Sequence, residues 1–156
     1  MENNLAKTET TPSKLIELAI SSNADIGKLE KLMDLQERWE KQQAKKSFLR
    51  ALSNFQQQCP IIKKSKKVGF KTKDGDIINY HYAPLGEIIK QIKIVLQKFG
   101  ISYRWETQHK VDLISITCFI SHIDGHQESN VMEARMDSSG KKNEIQQRGS
   151  TITYLQ

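Results

Sequence analysis

The change of hydrophobic period at Pro60 constrains this chain more than any other feature. Before it, Ile26, Leu29, Leu32, Met33, Leu35 and Trp39 recur at three-to-four spacing. After a polar stretch at 40–47 the stripe resumes at Phe48, Leu52, Phe55 and Cys59. Such a stripe predicts one long amphipathic helix. Asp25 can cap its start, and Pro60 ends it because the residue before a proline is biased away from helix. Beyond Pro60 the period falls to two, so helix gives way to strand.

Thr11-Pro12 predicts a short first helix, with an N-cap hydroxyl ahead of a proline at the first helical position. Two strands, 66–72 and 77–82, flank the turn Lys73-Asp74-Gly75-Asp76, whose Asp-Gly pair suits positive φ. Ala83-Pro84 opens a helix with Leu85, Ile88, Ile89, Ile92, Val95, Leu96 and Phe99 on its buried side, and Gly100 stands where a left-handed cap is wanted. Three strands follow at about 101–107, 111–121 and 127–136, and a last helix starts near Asn143. That last helix stops mid-pattern at Leu155-Gln156 with no cap, which suggests a truncated chain. The order is helices, then β-β-α-β-β-β-α. This predicts an α+β fold with an antiparallel sheet, preceded by an N-terminal helical arm at 1–44.

Charge is concentrated in one segment. Residues 63–110 carry eleven basic and four acidic groups, net +7, against +1 for residues 1–62 and −2 for residues 111–156. Lys63, Lys64, Lys66, Lys67, Lys71 and Lys73 meet no acid before Asp74. A local field of this kind favours a polyanion, and phosphate backbones are the usual one. A solvated, solubilising lysine loop would read the same way.

Catalytic chemistry is poorly represented. Ser138-Ser139-Gly140-Lys141-Lys142 resembles the end of a phosphate-binding P-loop, but Arg135 stands where glycine is required and Lys142 where serine or threonine is. His122 and His126 flank a predicted Asp124-Gly125 turn with no further metal ligands nearby. Asp74 and Asp76 are turn residues and Glu87 suits a helix N-terminus, so no carboxylates converge as a two-metal nuclease needs. The expectation is a non-enzyme without metal or cofactor. Two distant cysteines, no signal-like start and no long apolar run point to a reducing cytoplasm and no membrane contact.

Binding chemistry is richer. Single strands are held by cations that track phosphates and by flat side chains on which bases lie. Tyr80 and Tyr82 follow the lysine segment, while Tyr103, Arg104 and Trp105 share a later strand. Trp105 reads better as core, whereas Arg104, on the opposite face, is a candidate phosphate ligand. Lys141, Lys142 and Arg148 form a second basic group at the start of the last helix, whose free N–H donors suit a phosphate oxygen. Gly149 costs about 1 kcal/mol inside a helix; close packing explains it better than contact with DNA.

The run from Lys142 to Tyr154, K-N-x-I-Q-x-x-G-S-x-x-T-Y, resembles the signature of ERF (essential recombination function) single-strand annealing proteins of phages. Upstream blocks agree in order: Ala51-Leu52 with Phe55-Gln56, Cys59 to Lys64, Tyr82-Ala83-Pro84-Leu85 with Ile88-Ile89, Gly100-Ile101-Ser102, and Ser121-His122 with Gly125. The resemblance covers 45–156, a core shortened at its C-terminal end relative to the family, and leaves the arm 1–44 outside. It implies ATP-independent annealing of single-stranded DNA through an annealed duplex intermediate, in the host cytoplasm. It also implies a homo-oligomeric ring or filament, a fold akin to ring-forming eukaryotic annealing proteins, and a host single-strand-binding protein or phage exonuclease as further partners. Two other classes fit the residues alone: an RNA-binding regulator using the same groove, and a structural protein oligomerising through the long helix.

Overall fold

The computed structural model describes residues 11–71, 75–111 and 113–156, and the chain divides into two units, Met1–Lys46 and Ser47–Gln156. In the first, α1 (Pro12–Ser21) begins after Thr11, which is extended as an N-cap should be although its hydroxyl makes no capping bond. Pro12 holds the first helical position, where its missing N–H costs nothing. Asn23, at φ +55, ends the run, and Ala24 N–H closes back on the Ala19 carbonyl at 2.9 Å. Asp25 then starts α2 (Ile26–Gln58), its carboxylate accepting from Gly27 N–H at 3.1 Å. The α2 stripe is open to solvent at Ile26, Met33, Leu35 and Trp39.

The second unit contains the end of α2, then β1 (Lys66–Lys71), β2 (Ile77–Tyr82), α3 (Leu85–Lys98), β3 (Ile101–Lys110), β4 (Leu113–His122), β5 (Gln127–Arg135) and α4 (Glu144–Leu155). The fold is α+β with antiparallel strands, as the sequence order implies. The strands nevertheless form two sheets, a β1-β2 ribbon and a β3-β4-β5 sheet, in place of one. Lys63 ahead of the ribbon is tied to α3, its N–H donating to Gln91 Oε1 at 3.0 Å.

Packing accounts for the three-stranded sheet. Tyr103, Trp105, Cys118 and Ile120 alternate onto one face, and Ala51 and Leu96 pack with Ile101 beneath α2 and α3, alongside Phe55, Ile92, Tyr103 and Ile120. Ile114 and Ile116 are fully buried on β4, and α4 lies against β4 and β5. The β3 strand runs to Lys110, three residues beyond its predicted end, because its ladder with β4 continues through Lys110 and Leu113. Gly100, at φ +65, turns the chain from α3 into β3; a Cβ there would stand 3.0 Å from Ile123 Cγ2, so the position needs glycine twice over. Among the described residues no helix is long and apolar enough to cross a membrane.

Candidate nucleic-acid interface

Ribbon register decides what the lysines can reach. Lys66 lies opposite Tyr82, Lys67 opposite His81, Val68 opposite Tyr80, Gly69 opposite Asn79 and Lys71 opposite Ile77. Directly paired residues share a face and successive residues alternate. One face therefore carries Lys66, Val68, Ile78, Tyr80 and Tyr82. The other carries Lys67, Gly69, Lys71, Ile77, Asn79 and His81. Among the described ribbon lysines, Lys66 accompanies the rings while Lys67 and Lys71 lie on the opposite face.

The aromatic face is open: Tyr80 is 48% and Tyr82 42% exposed, with ring centroids 6.4 Å apart. On the basic face, a Cβ at Gly69 would stand 2.4 Å from Asn79 Oδ1. Only glycine lets that amide lie across the strand between Lys67 and Lys71. The sequence carried a signal for this, since a glycine inside a strand marks close approach, but it did not say of what.

The segment before the ribbon runs along α3. Lys98 Nζ donates to Gln58 Oε1 at 2.6 Å at one end, and Lys63 N–H meets Gln91 at the other. Gln91 and Lys98 are seven apart, two turns on one helix face, so residues 58–63 lie antiparallel to α3. This brings Lys63 to a cavity of about 460 Å³ shared with Pro60, Ile61, Ser65, Glu87 and Gln91. Lys63, Lys64, Lys66, Lys67 and Lys71 are exposed, and none has a side-chain ion pair among the described residues. Lys73 lies outside the described residues.

The remaining candidate cations divide. Lys141 and Arg148 are exposed and, among the described residues, free of ion pairs. Arg104 is occupied on both sides: its guanidinium lies 3.9 Å from the centroid of the Phe119 ring opposite and pairs with Glu106. Lys142 is turned inward. Its ammonium pairs with Asp137 and also donates to Ser139 Oγ at 3.1 Å and Ser150 Oγ at 3.3 Å.

Such contacts account for half of the C-terminal signature, at Lys142, Asn143, Gln146 and Ser150. Asn143 Oδ1 accepts from Gln146 N–H at 2.9 Å while Asn143 N–H donates to Gln146 Oε1 at 3.1 Å, a complete capping box. Ser150 Oγ donates to Asp137 at 2.6 Å, and Thr151 Oγ1, buried, accepts from Asp137 N–H at 2.8 Å. These four residues, with Thr151 beside them, form a latch that fastens α4 to the turn after β5. Gly149 does not belong to it: an added Cβ there would meet nothing within 4 Å, so packing inside the chain does not account for that glycine.

Lys142, then the Ser139 and Ser150 hydroxyls, hold the Asp137 carboxyl well below the ordinary carboxylate range. A depressed carboxyl stabilises the fold above its unfolded value, and that contribution is lost as pH falls towards the folded one. Asp137→Asn should therefore lower the melting temperature at neutral pH, with the deficit shrinking below about pH 4. Thermal unfolding of both proteins across pH checks this, and a deficit constant with pH would remove the charge from the explanation.

Tyr103 and Trp105 pack edge to face at 4.9 Å and line an apolar cavity of about 290 Å³ with Phe55, Ile92, Cys118 and Ile120. They face the helices, as the core reading of Trp105 requires. The two histidines of the turn part company: His126 meets the Phe48 ring edge-on at 5.1 Å, whereas His122 Nδ1 accepts from Asp124 N–H. Arg50 and Lys98, which no motif or charge run in the sequence singles out, share a groove with His122.

No curated protein and no solved structure matches the chain. A family model described as ERF superfamily matches residues 48–156, which takes in the ribbon, the three-stranded sheet and the α4 latch. By that match over most of its length, the chain belongs to the ERF superfamily, a family of recombination and strand-annealing proteins.

Proposed function

We propose that this protein binds single-stranded DNA along the β1-β2 ribbon and its preceding lysines, and that it anneals complementary strands as a homo-oligomer without nucleotide hydrolysis. The observation that carries the reading is the ribbon itself. Two six-residue strands are marginal alone in water, yet β2 is exposed along its whole length and displays Ile77, Ile78, Tyr80 and Tyr82. The unpaired charges of Lys63, Lys64, Lys66, Lys67 and Lys71 suit phosphates, and the two open rings suit unstacked bases. Lys141 and Arg148 are the next candidates. Lys142 and Arg104 are left out because each is already engaged within the chain.

In this mechanism the strand is held extended with its base edges free until a complement is sampled. Pairing supplies the driving force, since each stacked base-pair step contributes about 1.4 kcal/mol. The protein supplies alignment and screening. Annealing of two complementary oligonucleotides should therefore proceed with no ATP and in the presence of EDTA, followed by fluorescence quenching. Strict dependence on nucleotide hydrolysis would reject the mechanism. Preference for RNA over DNA of one sequence would instead favour a site that reads 2′-hydroxyls.

A further inference from the structure

Two blocks of the chain unused by the ribbon, Gly100-Ile101-Ser102 and Ser121-His122 with Gly125, meet in space. Ile123 N–H donates to the Gly100 carbonyl at 3.0 Å, joining the end of α3 to the β4-β5 turn. Beside this junction lies a groove of about 380 Å³, lined by Ser47, Arg50, Asn54, Lys98, His122 and Asp124. Ser47, Arg50 and Asn54 fall at three-to-four spacing and so share one face of α2.

Its chemistry is that of an anion seat. Arg50 is exposed and, among the described residues, has no ion pair or hydrogen bond. Lys98 uses one donor on Gln58 and rests 5.4 Å from the Phe99 ring centroid, leaving further N–H groups. The His122 side chain is only 9% exposed, and its Nδ1 accepts from Asp124 N–H at 3.2 Å. In a neutral imidazole that bond places the proton on Nε2. Nε2 faces Gly100, 3.6 Å from where a Cβ would stand, and has no partner among the described residues. No fully buried side-chain polar atom among them is left unsatisfied, so Nε2 keeps some exposed surface, and His122 lines the groove. Among the described lining residues Asp124 is the one acid, its carboxylate 3.7 Å from His122 Nδ1, against the two cations Arg50 and Lys98. Hydroxyl and amide groups of Ser47 and Asn54 complete a set matched to the oxygens of a phosphodiester.

We infer that this groove seats the backbone of the second, incoming strand, an inference that rests on the ribbon holding the first. The ribbon leads directly into the N-terminal end of α3 and the groove lies at its C-terminal end, about 20 Å away at 1.5 Å per residue. Two phosphate backbones repel each other, so a cationic seat apart from the first holds the complement near without displacing the strand already bound.

The test uses the full chain with Arg50→Glu, an exposed position where glutamate keeps helix propensity, and leaves Lys98 in place because it also ties Gln58 to α3. A labelled oligonucleotide is bound first and its complement is then added in a stopped-flow mixer. Affinity for the first strand should stay within about twofold, while the annealing rate falls by about tenfold, as expected when a phosphate contact is replaced by a repelling charge. Arg50→Lys, with Lys98 intact, should keep most of the rate. Unchanged annealing by Arg50→Glu overturns the inference while leaving the ribbon reading intact. An equal loss of first-strand affinity also overturns it, because the groove would then belong to one continuous path. A shift in assembly mass that accounts for the lost annealing would make the groove a protein contact instead. Failure of the unaltered protein to bind or anneal at all is a different result, and it removes the ribbon reading itself.

Discussion

Replacing Lys67 and Lys71 together with alanine should weaken single-strand binding for every sequence alike and flatten its dependence on salt. If each lysine neutralises one phosphate, the slope of log affinity against log salt falls by about 0.7 per residue, or about 1.4 for the pair. Both side chains project from the face that also carries Asn79 and His81, and neither has an internal partner among the described residues. Their loss therefore removes charge without leaving an orphaned acid. Tyr80→Ala with Tyr82→Ala should behave differently. Stacking on a ring is worth about 1–3 kcal/mol per base, so affinity falls at least as far while the salt slope holds. Lys66→Ala separates the faces, because Lys66 stands with the tyrosines, opposite Tyr82. Titrations at several salt concentrations with fluorescence anisotropy would resolve all three variants. Should the Lys67 and Lys71 variant keep the full slope, the phosphate path lies elsewhere, with Lys141 and Arg148 as the first place to look.

Which parts of this arrangement were legible in the sequence follows from how far apart the deciding residues stand. The period change at Pro60, the Asp25 cap and the Gly100 turn are local, and each element begins and ends within a few residues of its predicted bounds. The unpaired lysine run was legible for the same reason, since the acids were counted from neighbours along the chain. Facing was not. A one-residue choice of register sends every side chain to the other side, and only the pairing of Lys66 with Tyr82 shows that Lys67 and Lys71 turn away from the rings. Partners across the fold were hidden too. Asp137 closes on Lys142 and Ser150 through a turn and a helix, which made a basic residue of the signature look free when it is a structural tie. The Arg50 and Lys98 groove depends on α2, α3 and the β4-β5 turn meeting at one place, and no spacing along the chain announces that.

The arm offers the largest contrast between losing assembly and losing the fold. Within the second unit, Phe48 is 1% exposed and Ala51 also buried, so the helical residues the core depends on begin at about Phe48. Phe48→Ala should cost about 3–5 kcal/mol, a large share of the roughly 5–15 kcal/mol that holds a domain folded. Deleting residues 1–44 removes none of that core. It removes instead the α2 stripe, where Ile26 is 73% and Met33 62% exposed, and an apolar line of that length calls for a protein partner. A strand is held over many nucleotides only when protomers align their sites through a repeated interface. We therefore expect the shortened protein to stay folded but form smaller assemblies, with weaker binding to long strands and little change for very short ones. That pattern follows because avidity is lost while local contacts remain. Circular dichroism, mass photometry and titrations with oligonucleotides of graded length would measure each part. Unfolding of the shortened protein would make the arm part of its own core and move the oligomer interface elsewhere. A folded protein with full-sized assemblies would place that interface within residues 45–156, where the open edges of β3 and β5 become the natural candidates.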